Sequence, residues 1–184
     1  RLGSGSEIVT AVETRQQILV YTDESLYAMQ FLGPPFTFGI NLVSENITTM
    51  GPLSAVAVED NVFWMGLKEF YVYGGTVQRL PCSVRDYIFS DINIEQREKI
   101  VASSNTAFSE IWWFYPSASS TNNDRYVVYN YEQKVWYFGT MSRSFWMDRG
   151  IFENPIAAGP NNYLYSQETG FDDDGSALTA YIES

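Results

Sequence analysis

Alternation with a period of two constrains this chain more than any other feature. Short runs rich in β-branched and aromatic residues are broken at close intervals by turn-forming clusters. On an extended strand successive side chains point to opposite faces, so such a run describes a strand with a face to bury. Residues 17–21 (Gln-Ile-Leu-Val-Tyr) lead through Thr-Asp-Glu-Ser at 22–25 into residues 26–31 (Leu-Tyr-Ala-Met-Gln-Phe), which predicts a hairpin. Residues 54–58 and 62–65 repeat the design around Glu59, Asp60 and Asn61, and residues 70–73 add a strand that stops at Gly74 and Gly75. Residues 111–115, 125–131 and 135–138 predict three strands of a meander. A further hairpin joins residues 155–158 to 163–165 across Gly159, Pro160, Asn161 and Asn162. There Gly and Asn tolerate positive φ and Pro fixes its own.

The hairpins read as one unit repeated: a small-aliphatic strand, an Asp/Asn turn, then an aromatic strand. Tyr27, Trp64, Trp113 and Tyr165 follow one another at intervals of 37, 49 and 52 residues, close to the roughly 40 to 50 residues of a four-stranded propeller blade. A lone sheet cannot bury both faces, whereas stacked blades can. The expected fold is therefore all-β, with antiparallel four-stranded meanders arranged as β-propeller blades and residues 1–184 forming part of one such domain. Three to four blades are visible, so the rest of the ring is expected elsewhere in the chain or in a neighbour. An irregular antiparallel sandwich is the competing arrangement. Residues 84–102 break the pattern and predict a short helical insert between blades, capped by Asp91 or Asn93 and carrying the charges of Glu95 to Lys99. The start at Arg1 and the strand-like ending at Ala180, Tyr181 and Ile182 lead to the expectation of a piece of a longer chain.

Composition enters by exclusion. There is no His, which removes Ser-His-Asp and Cys-His catalysis, imidazole metal ligands and a histidine pH switch. Cys82 stands alone, so neither an intrachain disulfide nor a thiolate zinc site exists; it is expected to be a small buried hydrophobe. With 22 Asp and Glu against 11 Lys and Arg, the net charge of −11 argues against gripping duplex DNA. The 45% hydrophobic content argues against disorder, and no apolar run approaches the roughly 20 residues of a membrane span. The remaining candidates are weak. Asp172, Asp173, Asp174 and Gly175 resemble a calcium loop, but consecutive Asp side chains diverge on an extended chain, which favours a solvated turn. Ser166 to Gly170 partly echoes a sialidase-propeller turn, with Glu168 in the acid position. Asp124, Asp148 and Glu153 are carboxylates without a spacing that pairs them for glycoside hydrolysis. Trp112, Trp113, Phe114 and Tyr115 suit either a stacking platform or, alternating on a strand, two core faces. Asn46, Ile47 and Thr48 spell a glycosylation triplet. Trp64, Trp113 and Trp136 are expected in the packed interior or between blades.

Residues 20–31, 33–38, 60–66, 112–117, 123–131, 146–150 and 180–184 together resemble the propeller-containing virion proteins of tailed bacteriophages. The nearest group is the packaged-DNA stabilisation, head-completion or tail-nozzle proteins of short-tailed phages. The resemblance implies a non-enzymatic, ring-forming tail-nozzle or head–tail connector subunit in the virion, closing and lining the DNA exit channel. It implies copies of itself in a hexameric or dodecameric ring, a portal or adaptor above, and distal tail or needle proteins below. Duplex DNA would pass without tight binding, with acidic residues on the lumen side and aromatic residues on the flanks. Because the family is structural, no catalytic, cofactor or metal residues carry over. Two rivals stand beside it: a carbohydrate-binding or carbohydrate-cleaving propeller (a tail-associated depolymerase or lectin), and a scaffold for cellular protein contacts.

Overall fold

The computed structural model describes residues 3–173 and 175–177. Each sheet is an antiparallel meander in chain order. The first contains β1 (Ile8–Glu13), β2 (Ile18–Thr22), β3 (Ser25–Phe31) and β4 (Phe38–Glu45). The second contains β5 (Ala55–Val58), β6 (Asn61–Met65), β7 (Phe70–Tyr73) and β8 (Val77–Leu80). The third contains β9 (Val101–Asn105), β10 (Glu110–Tyr115), β11 (Arg125–Asn130) and β12 (Val135–Thr140). The fourth has three strands, β13 (Phe145–Met147), β14 (Ile156–Ala158) and β15 (Leu164–Ser166), followed by a hairpin of β16 (Asp172–Asp173) and β17 (Ser176–Ala177).

The first strands form the axis. β1 lies against β5, β5 against β9 and β9 against β13, so the sheets fan outward like propeller blades, in an arc that does not close. Alternation along the second strand of each middle sheet feeds two cores. Trp64 on β6 joins Leu19, Tyr21, Leu26 and Ala28 between the first and second sheets. Its neighbours Phe63 and Met65 join Ile111, Trp113, Tyr115 and Val127 between the second and third. On β10, Trp112 and Phe114 point the other way, to Trp146 and Ala157 of the fourth sheet. Each large side chain so buried contributes about 1.5–3 kcal/mol. Trp136 is half-buried, stacks 6.0 Å from Trp113 and donates its indole N–H to the Pro81 carbonyl at 2.8 Å.

The insert within residues 84–102 consists of two short helical pieces. A helix, α1 (Arg85–Asp91), ends at Ile92, and a 3-10 stretch runs Ile94–Lys99. Asn93 provides the cap, its side chain accepting from the Glu95 N–H. Val101 and Ala102 already belong to β9, because they pair with Phe114 and Trp113. Ile92 is pulled out of helix by a bridge to Ser117. Ile88, Ile92 and Ile100 sink into the core between the second and third sheets, so the insert fills that wedge. Gly51 is required beneath it, since a Cβ there would come 2.6 Å from the Arg97 carbonyl oxygen.

One expectation needs correction. Trp64 and Trp113 occupy the second strand of their sheets, whereas Tyr27 and Tyr165 lie in the third. The near-regular spacing thus compared unlike positions, because both strands of a hairpin show the same alternation. Along the axis of the arc, β1, β5, β9 and β13 contain one carboxylate, Glu13. Glu24, Glu59, Asp60 and Glu132 occupy turns. Among the described residues no helix is long and apolar enough to cross a membrane.

Candidate functional site

The richest assembly of polar groups lies in a cleft of about 430 Å³ where the third and fourth sheets diverge. Strand alternation builds its wall. Glu110 and Trp112 are two residues apart on β10 and share a face, and the register brings Trp112, Val128 and Tyr137 into one cross-strand row. The Glu110 carboxylate accepts the Trp112 indole N–H at 2.9 Å and the Tyr137 hydroxyl through a short hydrogen bond. Desolvation first, then the Glu110 hydrogen bond and charge, hold the Tyr137 hydroxyl far above the ordinary phenol range. Trp112 in turn stacks on Trp146, with ring centroids 5.1 Å apart and planes 11° from parallel.

Glu168 faces this wall from the turn after β15, in a left-handed backbone conformation (φ 56°). Its carboxylate accepts the Asn105 side-chain N–H at 3.2 Å. Partial burial, reinforced by the charge of Glu110, raises the Glu168 pKa above its ordinary value, while the Asn105 bond opposes that rise. Asn105 is fully buried and its carbonyl oxygen has no partner among the described residues. Met141, Arg143, Tyr165, Gln167 and Asp172 complete the cleft. Arg143 lies over the Tyr165 ring at 5.0 Å and donates to the Gln167 side-chain oxygen at 3.4 Å. The arrangement sets a carboxylate satisfied by two donors, Glu110, beside a second, Glu168, whose pKa is raised by partial burial and the Glu110 charge.

The other sequence candidates are used structurally. Asp124 accepts from the Ser117 N–H at 2.7 Å and its hydroxyl at 2.8 Å, closing the loop before β11. Asp148 accepts from Ser104, from the Thr106 N–H and from the Arg149 N–H. Glu153 is exposed. No contact gathers these three into one cleft. Trp112, Trp113, Phe114 and Tyr115 are all buried, the first and third toward the fourth sheet and the others toward the second. They offer no open stacking platform. Asp172 accepts the Gly175 N–H at 2.9 Å across its own hairpin, and Asp174 lies outside the described residues. Among the described residues no group of three acidic or Cys side chains is placed to hold a metal. Asn46 is exposed at a left-handed turn. Cys82 is half-buried, its thiol pushed up to about 11, chiefly by burial.

Sequence reasoning missed Glu110 and Asn105 and saw Glu168 only as a turn residue. The available signal was Glu110 in step with Trp112. Its meeting with Tyr137 and Glu168 depends on register and sheet stacking, which no local pattern carries.

Comparison with known protein families finds no match, and no curated protein matches the chain. Among solved structures, the chain is similar to the WD40 domain of Neurospora crassa Pan2, at 16% sequence identity with a TM-score of 0.46. That likeness covers 83% of this chain and 44% of the other, so the chain spans less than half the length of that structure.

Proposed function

We propose that the chain is a non-enzymatic structural subunit of a cyclic virion assembly, the tail-nozzle or head–tail connector part that its sequence resembles. One observation carries this reading: both ends of the arc present exposed apolar sheet faces. Phe31, Phe38 and Leu42 stand exposed on the first sheet, and Phe145, Met147 and Leu164 on the fourth. Faces of this sort mark a piece built to be packed within a larger body. The net charge of −11 suits a wall that repels phosphate and lets duplex DNA pass. In this reading like copies form the ring, with a portal or adaptor on one side and distal tail or needle proteins on the other. Quantitative mass analysis of purified virions is expected to find the protein in a fixed multiple of six, and its deletion to give particles that leak DNA. Absence from the particle, or tight salt-sensitive binding of duplex DNA by the isolated chain, would refute it.

Glu168 in an aromatic-walled cleft, with the Glu110 carboxylate close enough to raise its pKa, favours a second reading, a carbohydrate-binding or carbohydrate-cleaving propeller. Its test is release of reducing sugar from capsular polysaccharide, lost in Glu168→Gln. No turnover, and no glycan binding, would remove it.

A further inference from the structure

We propose that a second cleft, between the first and second sheets, binds a neutral sugar residue through the side chains of Gln17, Gln30, Asp60, Asn61 and Tyr73. It lies apart from the Glu168 cleft and depends on neither reading above.

The cleft holds about 400 Å³ and opens at the end of the two sheets where the β1–β2, β5–β6 and β7–β8 turns lie. Thr14 shapes the first of these turns. Its hydroxyl donates to the Gln17 carbonyl at 2.9 Å and accepts the Gln17 backbone N–H at 3.2 Å, which fixes the start of β2. From Gln17 a one-way series of hydrogen bonds crosses between the sheets. The Gln30 side-chain N–H donates to the Gln17 side-chain oxygen at 2.9 Å, and the Gln17 side-chain N–H donates to the Tyr73 hydroxyl at 2.8 Å. Tyr73 is only 6% exposed and is packed among Leu19, Val62 and Trp64, so its ring is held in place. On the second sheet Asn61 lies against Gly74, where a Cβ would come 2.4 Å from the Asn61 side-chain oxygen. Glycine is needed there for that amide to keep its position.

The groups left unspent define the ligand. Among the described residues the Tyr73 O–H has no acceptor, the Gln30 side-chain oxygen has no donor, and the Asp60 and Asn61 side chains form no hydrogen bond. The described lining contains no Lys or Arg and no aliphatic side chain larger than Thr. An anion would meet Asp60 with no cation to offset it. An apolar group would strip water from these polar atoms and return nothing. An ammonium group would suit Asp60 and Gln30, but it has no lone pair for the Tyr73 O–H or the Asn61 N–H groups. A hydroxyl both donates and accepts. Several hydroxyls fixed on one ring, as on a neutral sugar, can meet carboxylate, amide and phenol together with little entropy to lose.

The test follows the side-chain amide signals of Gln17, Gln30 and Asn61 by proton–nitrogen correlation NMR of the 184-residue chain. The probes are glucose, galactose, mannose and N-acetylglucosamine, with glucuronate as the anionic comparison. At least one neutral sugar is expected to shift all three amides saturably at millimolar concentration, and glucuronate to shift none. Tyr73→Phe keeps the ring and is expected to weaken binding about fivefold, the loss of one hydrogen bond. Asp60→Ala, at an exposed turn, is expected to weaken it similarly with an unchanged circular dichroism spectrum. Glu168→Gln is expected to bind as the parent does. No response to any of the four neutral sugars, undiminished binding in both Tyr73→Phe and Asp60→Ala, or equal binding of glucuronate would overturn the proposal. Failure here is separable from failure of the carbohydrate reading. Sugar-induced shifts confined to the Glu168 cleft and lost in Glu168→Gln overturn this site alone. Binding at Gln17 and Tyr73 that Glu168→Gln leaves intact, with no turnover, supports this site without any role for Glu168.

Discussion

Trp113→Ala removes the side chain on which the second and third sheets close. Trp113 is fully buried, packs 4.9 Å from Phe70 and 6.0 Å from Trp136, and donates its indole N–H to the Ser54 carbonyl at 3.1 Å. Truncation of a buried Trp costs about 3–5 kcal/mol, because lost burial is compounded by a cavity that rigid neighbours cannot fill. Here the neighbours are strands held on both sides, β9 and β11, so collapse is hindered and the upper half of that range applies. The lost hydrogen bond adds little, since the Ser54 carbonyl keeps the Met65 N–H at 3.1 Å and is not orphaned. Against a typical total of about 5–15 kcal/mol this is a large share. For a chain of this length it lowers Tm by roughly 8 to 20 °C. Urea unfolding followed by fluorescence measures it, with Phe36→Ala as the control, because Phe36 is 70% exposed and should change stability by less than about 0.5 kcal/mol. A loss below about 1 kcal/mol for Trp113→Ala, or equal losses in both variants, would refute the assignment of Trp113 to a rigid interface between sheets.

Tyr21 is fully buried with an unpartnered hydroxyl, so Tyr21→Phe is expected to keep or raise stability by about 1 kcal/mol; a clear loss in urea titration would mean that the hydroxyl is in fact bonded. Glu168 is held above the ordinary carboxylate range when folded. As pH rises from that range toward the raised value, the unfolded chain releases this proton first, and stability falls. Glu168→Gln should flatten that decline, with the variant gaining on the parent toward neutral pH and not at acidic pH; parallel melting curves across the range would contradict this. With its thiol pushed up to about 11, Cys82 should react with a disulfide reagent at pH 8 far more slowly in the folded chain than in urea, and equal rates would count against its burial.

Legibility divides by range. Alternation in residues 62–65 and 111–115 announces strands, and it also announces that Trp64 and Trp113 are interior, because two-sided burial leaves no polar row. The Asn93 cap was legible for the same reason, being a bond between residues two apart. β1 and β4 passed unread: their outward rows remain exposed, so nothing forces a clean alternation, and Thr10, Gly39 and Asn41 blur it. The equivalence of Tyr27, Trp64, Trp113 and Tyr165 was misjudged because a second and a third strand of a meander look alike in one dimension. In the site, Glu110 beside Trp112 is a strand property, but Glu168 reaches that cleft from 58 residues away.

By itself, then, the sequence determined the strands buried on both faces and the turns between them, since these follow from bond geometry and side-chain alternation within a few residues. Tertiary structure alone decided which face meets which, that the insert wedges between the second and third sheets, and that Glu110 comes close enough to Glu168 to act on its pKa. Those outcomes depend on how finished sheets stack, and stacking is set by the summed shape of two surfaces rather than by any segment of either.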